Sequence, residues 1–406
     1  MKENIIDQLS CLVAECLSST GAKVRKPFRN NLIKVVILSF AIQFKLNFTQ
    51  LAKIGDKCEK TFREFYRNQV EWISLNIHLA NTYYADRKER SAIVIDHSYL
   101  SKSGKHTAHA GMFWSGVAGD VKYGLEILGI GFTALGYDRN CIILDVVQSP
   151  NSDELKAKGM NRVDWCLKSL SDRKDQLLSM GTNLILADAA FSGHPFVSGL
   201  KQMGFFIVSR LRKDAALYYP AEPKKDNSVG RPPMKGDRLD PKALDHIKVR
   251  EMTVEGWAKA YDLLVWCTSL KSQIRLAICY DDEGNHKYFF SNDLTLSGEE
   301  IVKLYRSRFQ VEFCFRDAHQ FTGLGDCQAR SEEKLGFSFN VSMFAVNTAK
   351  VLIKEQNLDL SVGEFKTLIS NLYFANRIFR MSGLDPDTLL IRPECLRFLG
   401  FKSIAA

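Results

Sequence analysis

No apolar run in the sequence is long enough to cross a membrane. The longest, Val35 to Phe44, is half of the roughly 20 residues a spanning helix needs. A secretory leader is missing too, since Met1-Lys2-Glu3-Asn4 leads directly into an amphipathic segment. Both absences predict a soluble, cytoplasmic protein with no membrane partner. The ten cysteines include no C-x-x-C pair, and the eight histidines supply no H-E-x-x-H or H-x3–5-H partner. A zinc knuckle and a disulfide framework are therefore not expected, and buried, reduced thiols are. Internal repeats are also absent. What is present is ordinary globular composition, 46% hydrophobic and 25% charged, which excludes a wholly disordered or fibrous chain. At roughly 100–200 residues per domain, 406 residues suggest two or three domains.

A net charge of +9 is mild for this length, but it is unevenly placed. Residues 1–90 carry 15 basic and 9 acidic groups, and residues 201–250 carry 12 and 6. The rest holds 28 basic against 31 acidic. All of the positive excess thus sits in two segments. These are either footholds for a polyanion or solvated faces.

Residues 1–90 read as helical. Asn30 to Lys45 is apolar-rich, Thr49 is a plausible N-cap for a short helix Gln50 to Ile54, and Gly55 ends it. A helical pattern resumes over Glu59 to Asn76 and places Lys60, Arg63 and Arg67 on one face. That rhythm suits a helix-turn-helix DNA-binding domain, or equally a plain helical bundle.

From Ser91 the pattern changes. Ala92 to Ile95, Leu125 to Phe132 and Cys141 to Val147 read as strands, followed by a helical stretch over about 152–180. Asn183 to Ala187 and Phe205 to Ser209 are further strands. Three strands, helix, strand, helix, strand is the order of an RNase H-like α/β core, expected over 91–210 and again over 293–340. Between them, 211–292 opens on a basic segment that includes Arg212. Five of the ten prolines lie within 220–241, and strand-like runs follow, so a β-rich insertion is expected. Ser297 and Glu300 form a capping box opening a long helix through Gln320, and 341–406 reads as helical.

Asp96 and Asp188 each end a strand run, and strand C-termini face the crevice where α/β folds bind ligands. Three carboxylates there can hold two Mg²⁺ or Mn²⁺ ions roughly 3.5–4 Å apart for phosphoryl chemistry. Glu312 is the candidate third. On a regular helix Tyr305, Arg308, Glu312, Arg316 and His319 share an arc of about 80°, a set suited to metal and phosphate. Taken singly, each Asp reads as well as a turn or cap, Glu312 as a solvated residue, and Asp145 as a structural carboxylate.

Tyr305-Arg306-Ser307-Arg308-Phe309-Gln310-Val311-Glu312 resembles the Y-x2-R-x3-E-x6-K signature of bacterial insertion-sequence transposases with DDE chemistry, in their cut-and-paste branch. His319 stands where that signature has its Lys. Val94-Ile95-Asp96-His97-Ser98 with downstream Lys102 and Lys105 is similar to the first-Asp block. Leu186-Ala187-Asp188-Ala189-Ala190-Phe191 looks like the second, and Val229 to Arg238 resembles a basic G-R-P loop. The resemblance implies Asp96, Asp188 and Glu312 as catalytic metal ligands for two Mg²⁺ ions. It implies double-stranded DNA as partner, both terminal inverted repeats and target, held by a homodimer near the nucleoid. Tyr305, Arg308, Arg316, His319, Lys102, Lys105, Arg210 and Arg212 become DNA-contact candidates beside Lys60, Arg63 and Arg67. Trp257 and Trp266 are candidates to hold a flipped base. An RNase H-fold nuclease or resolvase, or a DNA-binding relative without transposition activity, are the alternatives.

Overall fold

Five helices come first in the computed structural model, which describes residues 4–21, 23–136, 141–221 and 233–383. They are α1 (Ile5–Ser19), α2 (Lys26–Ala41), α3 (Phe48–Ile54), α4 (Glu59–Phe65) and α5 (Trp72–Tyr83). Asn47, rather than Thr49, caps α3, its side chain accepting from the Gln50 N–H at 2.9 Å. The helix expected over Glu59 to Asn76 is two helices. Asn68 Nδ2 donates to the Phe65 carbonyl at 2.7 Å, and this side-chain competition for a backbone acceptor accompanies the end of α4. Arg67 consequently falls in the turn and does not share a helical face with Lys60 and Arg63.

The sheet begins with β1 (Ser91–Ser101), β2 (Gly111–Ser115), β3 (Asp120–Ala134) and β4 (Ile142–Gln148). Three short helices follow, α6 (Ser152–Ala157), α7 (Arg162–Ser171) and α8 (Lys174–Ser179), where one stretch was expected. Next come β5 (Leu184–Leu186), α9 (His194–Gln202) and β6 (Phe206–Leu211). In space the order is β4-β3-β1-β5-β6, with β3 antiparallel to β1 and β4, and β1, β5 and β6 mutually parallel. This is the mixed sheet of an RNase H-like core.

The β-rich stretch holds β7 (Leu217–Tyr218), β8 (Arg250–Met252), β9 (Lys259–Cys267), β10 (Ser272–Tyr280) and β11 (His286–Ser291). Its strands extend the core sheet, because β11 pairs antiparallel with β6, giving eleven strands in one sheet among the described residues. Of the G-R-P loop, Val229 to Pro232 lie outside the described residues, as do 384–406 of the helical C-terminal expectation.

Four helices complete the fold: α10 (Gly298–Ser307), α11 (Gln310–Asp317), α12 (Glu332–Glu355) and α13 (Val362–Met381). The Ser297–Glu300 capping box opens α10 as expected. The helix expected to run on through Gln320 tightens at its middle: the Arg308, Phe309, Val311 and Glu312 N–H groups each bond the carbonyl three residues back. A π-helical turn, Ala318–Thr322, then ends it.

Helix α12 is buried on nearly all sides and packs on α5, α2, α1 and β4, while α13 packs on α2. Strand β4 is an outer strand of the core, pairing with β3, and its free edge is covered by two asparagines one heptad apart on α12. Asn340 accepts from the Val146 N–H at 3.0 Å and donates to the Val146 carbonyl at 2.8 Å. Asn347 does the same for Ile143 at 3.2 and 2.7 Å, and also donates to Asn76 Oδ1 at 2.8 Å. The backbone groups an open edge would leave for another chain are thereby satisfied.

Candidate active site

Strand alternation divides β1 between two faces. His97 turns to one side, stacked on Phe191 with ring centroids 5.2 Å apart and 3.5 Å from the Cys166 sulfur. Asp96 turns to the other, where α11 lies. Its register partner on β3 is Gly129, and a Cβ at that glycine would stand 2.6 Å from the Phe315 ring. The missing side chain lets α11 lie close against the sheet beside Asp96, with Glu312 one turn before Phe315. From the far side the buried Lys350 of α12 donates to the Cys141 carbonyl at 2.9 Å and to the Cys314 sulfur at 3.1 Å, tying α11 down.

Asp96 lies in the middle of β1 rather than at its end, but β5, the parallel neighbour of β1, ends at Leu186 level with Val94, so Asp188 emerges beside Asp96. Asp188 Oδ1 accepts from the Ala189 N–H at 2.6 Å and starts a short 3₁₀ turn, Ala189–Phe191. Arg308 joins the other two acids. Nη1 donates to Asp96 Oδ2 at 2.9 Å and Nη2 to Glu312 Oε1 at 2.8 Å. The Tyr305 hydroxyl lies 3.5 Å from Asp188 Oδ1, a long contact, and its ring lies under the Arg308 guanidinium. Two residues one turn apart thus reach all three acids.

Burial pushes the Asp96 carboxyl up to about 6, against the opposing pull of Arg308, with Glu312 and Asp188 adding to the rise. The guanidinium is the more firmly protonated for its two carboxylates, although its own burial opposes this. Carboxylate oxygens are donors of the type Mg²⁺ and Mn²⁺ take, so the residues suit the expected ions chemically. Among the described residues, however, no three His, Cys, Asp or Glu side chains stand together closely enough to hold an ion. Arg308 lies between two of the candidates.

Of the remaining expected contacts, Arg210 lies nearby and the others do not join the acids. The tightened turns between α10 and α11 advance the helix by more than 100° per residue, so the later members of the expected stripe rotate away. Arg316 is exposed and pairs with Asp317 at 3.1 Å. His319 lies in the π turn, where desolvation of its ring holds the imidazole below the usual range and Asp326 opposes that. Lys102 donates to the Cys327 carbonyl, and burial lowers its ammonium. Lys105 and Arg212 are exposed. In the N-terminal region, Arg63 of α4 pairs with Glu59, and Arg67 in the turn after it pairs with Glu64 at 2.8 Å. Asp145 takes its structural alternative, bonded by Arg173 Nε at 2.5 Å on the His97 side of the sheet.

Beside the acids opens a cavity of about 450 Å³ whose lining includes Asp188, Arg210, Trp257, Lys287, Phe289 and Tyr305. The Lys287 ammonium sits 5.3 Å from the Trp257 ring centroid. Trp266 is a β9 residue opposite Gln273 and does not line this cavity. Gly129 and Lys287 escaped the sequence reading. A glycine inside a strand signals close approach of another element, whereas Lys287 carried no local signal at all.

The strand order and the acids gathered at its crevice define an RNase H-like core. The model of the family described as the transposase DDE domain matches residues 135–347, more than half of the chain, and the protein belongs to that family. Asp188 and Glu312 fall inside the matched span and Asp96 before it; β1 pairs with β5 of the matched part, and Arg308 links the Asp96 carboxylate to it. No curated protein matches the chain significantly.

Proposed function

We propose that the protein is the cut-and-paste transposase of an insertion sequence, binding the terminal inverted repeats and using Asp96, Asp188 and Glu312 as the metal ligands for cleavage and strand transfer. The observation that carries this reading is the Tyr305–Arg308 pair reaching three acids from two adjacent parallel strands and one helix. Two Mg²⁺ or Mn²⁺ ions held by those acids would activate the attacking oxygen and stabilise the leaving one. Arg308 presents a planar fork suited to phosphate oxygens, and Tyr305 stacks beneath it. Water is the nucleophile at the element's end, and the freed 3′-hydroxyl is the nucleophile at target DNA. Arg210 and Lys287 give the adjoining cavity positive charge, and Trp257 gives it a ring on which an unstacked base can rest. A paired-end homodimer is part of the proposal.

Asp96→Asn, Asp188→Asn and Glu312→Gln should each abolish cleavage of a labelled terminal-repeat duplex while leaving its binding in gel shifts intact. Wild-type cleavage by any one of them removes that residue from the site.

A further inference from the structure

The Arg308 fork and a divalent ion require the same oxygens. Asp96 Oδ2 and Glu312 Oε1 each accept from one terminal nitrogen of Arg308 at 2.9 and 2.8 Å. The side chain is only 12% exposed, so this is not a loose surface pair. Among its other donors, Nε is buried and bonds nothing among the described residues. Consistent with a cation already seated among the acids, no three acidic, His or Cys side chains among the described residues come within ion-holding distance of one another.

We infer that Arg308 is a gate that couples metal binding to DNA binding: its guanidinium holds the metal-ligand oxygens of Asp96 and Glu312 until a DNA phosphate draws it away. The inference rests on the metal-site reading above and adds a competition to it. A phosphate oxygen pair matches the two-pronged geometry of a guanidinium as well as two carboxylates do. Moving the fork onto DNA frees both carboxylates at once. The unpaired Nε gives the guanidinium a further donor for the phosphate.

A consequence is thermodynamic. If a fraction f of the free protein has the fork displaced, the apparent metal dissociation constant is the intrinsic one divided by f. DNA that displaces the fork then tightens metal binding, and metal must tighten DNA binding by the same factor. The device keeps a hydrolytic centre poorly loaded until its substrate is present.

The test is Mn²⁺ binding to the full-length protein, followed by calorimetry and by the electron paramagnetic resonance of free Mn²⁺, with and without a terminal-repeat duplex. Arg308→Ala and Arg308→Lys are compared with wild type, each first shown to melt as one folded species. Lysine keeps the charge but lacks the fork. If the fork blocks the site, both variants bind Mn²⁺ at least about tenfold tighter than wild type without DNA, which is about 1.4 kcal/mol. Their gain in affinity on adding DNA is correspondingly smaller. If Arg308→Lys matches wild type while only Arg308→Ala tightens, charge alone is acting and the gate is overturned. Unchanged affinity in both variants overturns it too. Failure of the underlying site reading looks different: Asp96→Asn would then bind Mn²⁺ as wild type does, with DNA present.

Discussion

A single carboxyl of the proposed site sets its suggested role against stability. Burial pushes the Asp96 carboxyl up to about 6 from near 3.8, because it penalises the charged form more than Arg308 favours it. The raised value means that the folded state prefers the protonated acid, so stability is fully present below pH 4 and is lost as pH rises through 6. At about 1.4 kcal/mol per pH unit, the ionised group costs the fold about 3 kcal/mol above that range. Asp96→Asn removes the ionisation. In metal-free buffer it should match wild type in urea unfolding at pH 4 and exceed it by up to about 3 kcal/mol at pH 8. A constant difference across that range would show that Asp96 is not strained by its burial. A divalent ion at the site would compensate the same cost by favouring the carboxylate.

At the level of elements, the edge of β4 depends on α12. Asn340 and Asn347 bond both backbone groups of Val146 and Ile143, and Asn347 also holds Asn76. Replacing Asn347 by Leu keeps the approximate volume and strands an N–H, a carbonyl and a side-chain amide in a buried place. The expected loss is about 2–4 kcal/mol, since buried groups lose their partners without gaining water. Urea denaturation measures it. A loss below about 1 kcal/mol would mean that water reaches this edge. The same helix holds α11 through Lys350, so α12 supports both an outer strand and the helix that bears Glu312.

For the molecule as a whole, charge and packing set different limits. The N-terminal helices, where part of the positive excess lies, pack against α12, α13 and β4. Their exposed cations are partly compensated, Arg63 by Glu59 and Arg67 by Glu64, while Lys60 has no ion pair among the described residues. Neutralising Lys60, Arg63 and Arg67 together should weaken DNA binding and make the slope of log K against log salt shallower by about 1 to 3, as phosphate contacts are lost. Titrations at several salt concentrations decide it, and an unaltered slope would identify a merely solvated face. No helix among the described residues is long and apolar enough to cross a membrane.

Local chemistry carries a long way in this chain. The strand runs before Asp96 and Asp188, the Ser297–Glu300 capping box and the Tyr305–Arg308–Glu312 spacing are all short-range patterns, because hydrogen-bond caps and strand or helix periodicity involve residues a few positions apart; the run at Asp96 does not end there, since β1 continues to Ser101. They were enough to state the order of the core and to name the three acids. Arg316 and His319 leave the stripe that regular helical spacing predicts, since i→i−3 bonds change the phase of the helix. Contacts between distant segments had no such signature. That β11 docks on β6, that α12 closes the edge of β4, that Gly129 makes room for Phe315, and that Arg308 bridges 212 positions back to Asp96 are outcomes of packing. Only the folded sheet could bring those partners within bonding distance.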